Sequence, residues 1–128
     1  MIVLDTHAWI WWTADPDCLS PRARNAIEQS TEIGIAAISC WEVATAAVRG
    51  RIQLDRDIGT WLKLALAAER VSLAELTPAI AVAAAGIGRD FHGDPGDRLI
   101  VATALVLGCS LVTKDGPIRR LPGVKTVW

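Results

Sequence analysis

Residues Met1–Trp12, M-I-V-L-D-T-H-A-W-I-W-W, decide how the rest of the chain is read. Ile2, Val3 and Leu4 form an unbroken apolar run rich in β-branched residues. Such a run suits a strand buried on both faces, as in a parallel sheet covered by helices. Asp5 stands where that strand should end, and Thr6 can cap a short helix starting at His7. Ligands of open α/β sheets bind at the carboxyl ends of the strands. Asp5 therefore reads either as an acid at such an edge or as a loop acid that helps to cap the next helix. This stretch alone does not choose between them.

Outward from it, the chain alternates strands and helices. Ser20-Pro21 places Ser at an N-cap and Pro at the first helical position, and predicts a helix to about Ser30. Ile33–Ile38 (I-G-I-A-A-I) reads as a second buried strand. Ser39-Cys40-Trp41-Glu42 fits the capping-box pattern S-x-x-E, with its helix running to Gly50. Asp55 or Asp57 can start a helix carrying Trp61, Leu62, Leu64, Ala65 and Ala68 on one face. Val71–Leu76 reads as an edge strand or a poor helix extension. Thr77-Pro78 opens a helix of small residues, and Asp94-Pro95 opens one over Pro95–Leu107 ended by Gly108. Ser110–Thr113 is a third apolar strand, Asp115 follows it, and Val124–Trp128 can close the sheet. This alternation predicts one α/β domain over 1–128 with a central parallel sheet.

Composition fits that reading. A chain of 128 residues can bury a core without disulfides or metal. Hydrophobic residues make up 52% and the mean hydropathy is +0.33, which predicts buried sheet plus an apolar surface reserved for a partner. No apolar run is long enough to span a membrane, and the first strand starts at Met1 without a basic leader. Cys18, Cys40 and Cys109 are odd in number and lack metal-ligand spacing, so they read as reduced thiols of a cytoplasmic protein. A net charge of −1 gives no general attraction for nucleic acid, so any such binding must rest on a local patch.

The acids fall at matching places. Asp5 follows the first strand, Glu42 lies in the first turn after the second, and Asp115 follows the third. Asp94 and Asp97 open the Pro95 helix. In a parallel sheet these junctions share one edge. Two like charges about 5 Å apart repel by roughly 3 kcal/mol at an effective dielectric near 20. A helix N-terminus returns only about 0.3–1 kcal/mol. A divalent cation is the natural remedy, and an all-oxygen site prefers Mg²⁺ or Mn²⁺. Each acid also has a plain structural reading: Glu42 and Asp97 as capping-box residues, Asp94 as an N-cap, Asp115 as the start of a turn over Gly116–Leu121.

Four pieces of the chain carry a family resemblance: Leu4–Trp12 (L-D-T-H-A-W-I-W-W), Ser39–Glu42 (S-C-W-E), His92–Ala104 (H-G-D-P-G-D-R-L-I-V-A-T-A) and Leu111–Asp115 (L-V-T-K-D). With them the chain resembles PIN-domain ribonucleases, specifically the VapC-type toxins of type II toxin–antitoxin pairs. The third piece is the most specific. The resemblance implies a three-layer α/β/α fold with about five parallel strands. It also implies Mg²⁺-dependent cleavage of RNA, with Mn²⁺ an alternative metal, together with a homodimer and a VapB-type antitoxin that covers the cleft. Carried over to this chain, Asp5 and Asp97 are the main metal ligands, Glu42 binds metal or orients the attacking water, and Asp115 is a more peripheral fourth acid. Thr113 and Asp94 support the site.

Other residues are less constrained. His7 and His92 flank acids and are candidates for RNA contact. Trp9, Trp11 and Trp12 divide between core and partner interface. Among seven arginines able to form a phosphate-binding rim, Arg98 beside Asp97 is the one favoured. Two rival classes are an aspartyl phosphatase, which needs a second Asp two residues after the first, and a non-catalytic receiver-like or interaction module. Asp5-Thr6-His7 lacks the second Asp and the paired acids of a receiver, while Lys114 next to Asp115 and the apolar surface leave an interaction module open.

Overall fold

The computed structural model describes residues 1–91 and 93–128. The expectation placed on His92 lies outside the described residues. Five strands, β1 (Ile2–Leu4), β2 (Ile33–Ala36), β3 (Val71–Ala74), β4 (Ser110–Val112) and β5 (Thr126–Val127), form one sheet in the order β3-β2-β1-β4-β5. Every pairing is parallel; Leu4 lies opposite Ile35 on one side and Val112 on the other. Among the described residues seven α-helices join them: α1 (Thr6–Ala14), α2 (Pro21–Gln29), α3 (Ala37–Val48), α4 (Ile58–Leu66), α5 (Pro78–Ala85), α6 (Pro95–Leu107) and α7 (Gly116–Arg119).

Strand alternation assigns the two faces. Ile2 and Leu4 point to one side with Ile33, Ile35 and Val112, where they meet Trp9 of α1, Ala23 and Ile27 of α2 and Trp61 of α4. Val3 and Leu111 point to the other, against Ile100, Val101 and Ala104 of α6 and Ile118 of α7. All three residues of β1 are buried, as its continuous apolar run requires. Helix α5 lies outside α6, joined through Ile80, Ala84 and Ala102. The result is the expected three-layer α/β/α arrangement. Among the described residues no helix is long and apolar enough to cross a membrane, and Cys18, Cys40 and Cys109 are free thiols.

Several boundaries follow from local chemistry. Ser20, Asp57, Thr77, Asp94 and Asp115 each cap a helix by accepting a backbone N–H. Gly108 closes α6 in the left-handed region at φ +66°, a conformation cheap only for glycine. Two junctions differ from the sequence reading. Asp5, not Thr6, is the N-cap of α1, its Oδ1 accepting from the Thr6 N–H at 2.8 Å. Helix α3 starts at Ala37, two residues before Ser39, and no side chain caps it. Ser39-Cys40-Trp41-Glu42 is therefore helix interior rather than a capping box, and Ile38 is helical rather than part of β2. Val71–Ala74 is an edge strand, with Leu73 exposed.

The strand order has a functional consequence. From β1 the chain moves outward through β2 to β3, then returns to place β4 on the other side of β1. The connections diverge between β1 and β4, which is where open α/β sheets leave a crevice at their carboxyl edge.

Candidate active site

Asp5 sits at that edge and is 4% exposed. Its Oδ2 accepts the Thr113 hydroxyl at 2.7 Å across the β1–β4 boundary, while Oδ1 holds the start of α1. Thr113 in turn accepts the Asp115 N–H at 3.1 Å, and Asp115 caps α7 through Ile118 N–H. The ends of β1 and β4 are thus tied by side chains just beyond the last ladder bond.

Glu42 arrives from the second turn of α3. Its Oε1 accepts the Thr6 hydroxyl at 2.6 Å, and Thr6 Oγ1 also shares a hydrogen bond with the buried Ser39 Oγ at 2.9 Å. Thr6 and Ser39 therefore aim the Glu42 carboxylate. Its other oxygen meets the first turn of α6 at Gly96, where a Cβ would lie 2.7 Å from Glu42 Oε2 and 3.2 Å from Asp94 Oδ1. Only a residue without Cβ leaves the carboxylate where it is. At that turn Asp94 and Asp97 form a capping box, Asp94 Oδ1 accepting the Asp97 N–H at 2.8 Å and Asp97 Oδ2 the Asp94 N–H at 3.3 Å.

Glu42, Asp94 and Asp97 each present an oxygen within 4.8 Å of the others. This grouping differs in emphasis from the sequence reading, which put Asp5 and Asp97 at the centre and gave Asp94 a supporting place. Asp94 belongs to the tight acidic set, whereas Asp5 stands beside it with both oxygens already engaged. The crowding has a titration signature. Asp97 is pushed up to about 7, first by burial and then by the charges of Asp94, Asp5 and Asp115. Burial also raises Glu42, helped by Asp5 and Asp94 and opposed by the Thr6 hydrogen bond. Three carboxylates sharing this space, with no basic side chain bonded to them among the described residues, make an all-oxygen donor set that fits Mg²⁺ or Mn²⁺.

Other expectations separate here. Arg98 is engaged within the chain. Its guanidinium donates to the carbonyls of Ile87 at 2.9 Å and Phe91 at 2.8 Å and lies over the Phe91 ring, pinning the approach to α6. Backbone carbonyls leave no mark in a sequence, so adjacency to Asp97 gave no sign of these contacts. Trp9 is fully buried against Trp61, Trp11 packs on His7 and Trp128, and Trp12 lines an open groove with Trp61 and Leu64. Thr6, Ser39 and Gly96 were not identified as site residues. Gly96 had a readable signal only in being a glycine inside a helix start, where alanine is better by about 1 kcal/mol.

A family model described as PIN domain matches residues 2–124. Ribonuclease VapC22 of Mycobacterium tuberculosis is 44% identical over 129 residues, covering 99% of this chain and 98% of that protein. Solved structures share the fold at low identity. VapBC from Salmonella typhimurium, crystallised bound to DNA, aligns with a TM-score of 0.73 at 19% identity, over 98% of this chain and 95% of that one. VapBC2 from Rickettsia felis, bound to a promoter DNA fragment, aligns at 0.72 and 16%, over 98% and 97%.

Two outcomes are expected from this geometry. Gly96→Ala should keep or slightly raise the melting temperature, because helix propensity improves and the far end of the Glu42 side chain can yield. It should nonetheless weaken Mn²⁺ binding about tenfold or more, as titration calorimetry would measure. Unaltered binding would mean that the Gly96–Glu42 approach is incidental. The second concerns Asp97. Its folded-state pKa is raised, so ionising it costs more in the native state than in the unfolded chain. That penalty is absent below about pH 4, grows as pH rises to about 7 and is constant above. In metal-free buffer Asp97→Asn should therefore melt above the parent at pH 8, by about 3–6 °C per kcal/mol recovered. The gap should close near pH 4.

Proposed function

The chain belongs to the PIN-domain family, and on that premise we propose that it is a divalent-metal-dependent endoribonuclease, the VapC-type toxin of a type II toxin–antitoxin pair. One observation carries the reading. Glu42 of α3 and Asp94 and Asp97 at the start of α6 present oxygens within 4.8 Å of one another, with Asp5 and Asp115 at the neighbouring strand ends, in a chain 44% identical to a named ribonuclease. Glu42, Asp94 and Asp97, with Asp5 beside them, would hold Mg²⁺ or Mn²⁺. A cation bound there would offset charge on a phosphodiester and lower the pKa of a water.

The chain's own groups divide the remaining work. Thr113 keeps the buried Asp5 carboxylate at the β1–β4 crevice. Thr6 engages Glu42 Oε1, leaving Oε2 as the atom that orients an attacking water. Asp97, raised to about 7, would have to be ionised to hold a cation, so cation binding would strengthen as pH rises towards that value. Asp115 is a fourth acid whose main contact in this structure is the start of α7.

We assign an RNA substrate, a cytoplasmic location, a homodimer and a VapB-type antitoxin on the same footing. The structural neighbours include toxin–antitoxin complexes, which supports the antitoxin. The chain also exposes Trp41, Leu76 and Val82, large apolar side chains of the kind a partner covers.

Purified protein should cut RNA with Mg²⁺ or Mn²⁺ and stop when metal is chelated. Glu42→Gln, which keeps an acceptor for Thr6, should lose at least about a hundredfold in rate while remaining folded. Cleavage that persists in chelator, or a fully active Glu42→Gln, would overturn the mechanism. In cells, expression of the chain alone should arrest growth and co-expression of the small reading frame beside it should restore growth. Harmless expression of soluble, active protein would overturn the toxin assignment.

A further inference from the structure

His7 lies between the two halves of the acidic edge and is not accounted for by the chemistry above. Its Nε2 accepts the backbone N–H of Lys114 at 2.9 Å. An imidazole nitrogen that accepts is unprotonated, so in the neutral ring the proton sits on Nδ1, and Nδ1 is 3.5 Å from Asp5 Oδ2. The ring is held from outside by Trp11, with centroids 5.1 Å apart, and by Trp128 at 6.0 Å. The Lys114 ammonium lies over the Trp11 ring. One end of the imidazole therefore grips the segment Thr113–Asp115 after β4, and the other faces the acid after β1.

We infer that His7 is a positioning residue which, through its Nε2 bond to the Lys114 N–H, fixes the segment Thr113–Asp115 against Asp5 and so sets the shape of the cation site. The inference rests on the metal-dependent ribonuclease reading. Without the Lys114 anchor, Thr113 is the remaining side chain that ties Asp5 to the end of β4. The residues on either side are held by other bonds, Thr113 N–H donating to the Val127 carbonyl at 3.2 Å and Asp115 accepting the Ile118 N–H at 2.9 Å; the imidazole holds Lys114 between them. Packing against Trp11 and Trp128 is the competing explanation for a ring at this position.

The substitutions separate these. His7→Phe keeps a ring between the tryptophans and removes the acceptor. His7→Gln reaches the Nε2 position with an amide oxygen, and His7→Asn reaches only the Nδ1 position. Mn²⁺ affinity by calorimetry, kcat and KM for a short RNA, and melting in chelator are measured on all three. The expected result is that His7→Phe melts within a few degrees of the parent yet binds Mn²⁺ about tenfold more weakly. Its kcat should fall at least as far with KM for RNA unchanged, and His7→Gln should return to within about threefold of the parent. Parental Mn²⁺ affinity and kcat in His7→Phe would overturn the inference, and so would a His7→Gln no better than His7→Phe. Should His7→Phe fail to fold, Gln against Asn decides: equal Mn²⁺ affinity overturns the inference, and a tenfold advantage for Gln supports it. A parent that neither binds Mn²⁺ nor cuts RNA would instead remove the ribonuclease reading, and this inference with it.

Discussion

A carboxylate buried at the end of the central strand has to be satisfied by whatever surrounds it, and the arrangement around Asp5 follows from that requirement. One oxygen takes the first free N–H of α1 and the other takes the hydroxyl of Thr113. The first of these sets the direction in which α1 leaves the sheet. The second couples β1 to β4 beyond the ladder. Leaving either acceptor unpaired in such a buried place would cost on the order of 1–3 kcal/mol, or more for a charge. The two contacts therefore fix the crevice edge, and the other acids are arranged around an already rigid group.

That rigidity explains why the remaining carboxylates can be crowded. Glu42 is aimed by Thr6 and Ser39, and Asp97 is bound to the helix start by its capping box. None of the three inner acids is free to swing far from its neighbours. At Glu42 and Asp97, burial and then the neighbouring charges appear as raised pKa values instead of as a rearranged site. Strongly shifted groups held in a crevice are a frequent mark of function, since a merely structural cluster relaxes or acquires basic partners.

What could be read in the sequence was what local chemistry dictates. Ser20-Pro21, Asp94-Pro95 and Gly108 mark helix ends because capping depends on residues within one turn of each other. The start of α3 could not be found this way. The run I-G-I-A-A-I passes from strand to helix at Ala37 with no polar side chain at the boundary, so the nearest capping pattern, at Ser39, was misleading. Removing that cap strengthens the case for Glu42, which has no helix end to serve. Gly96 and Thr6 act on atoms far along the chain, both on the Glu42 carboxylate, and Arg98 on backbone carbonyls of the 87–91 segment. No spacing rule reaches contacts of that kind.

The strand order also governs when the molecule can act during its own synthesis. β1, made first, needs a neighbour on each side, and the second of them, β4, begins only at Ser110. The Thr113–Asp5 bond joins residues 108 positions apart, and β5 completes the sheet at Thr126–Val127. Contacts of such separation form late, after the loop-closure cost of the intervening chain has been met. A nascent chain that ends before β4 has its first acid at the open side of an unfinished sheet and lacks Thr113 to hold it. The topology thus withholds an assembled acidic edge until β4 and Thr113 have been made.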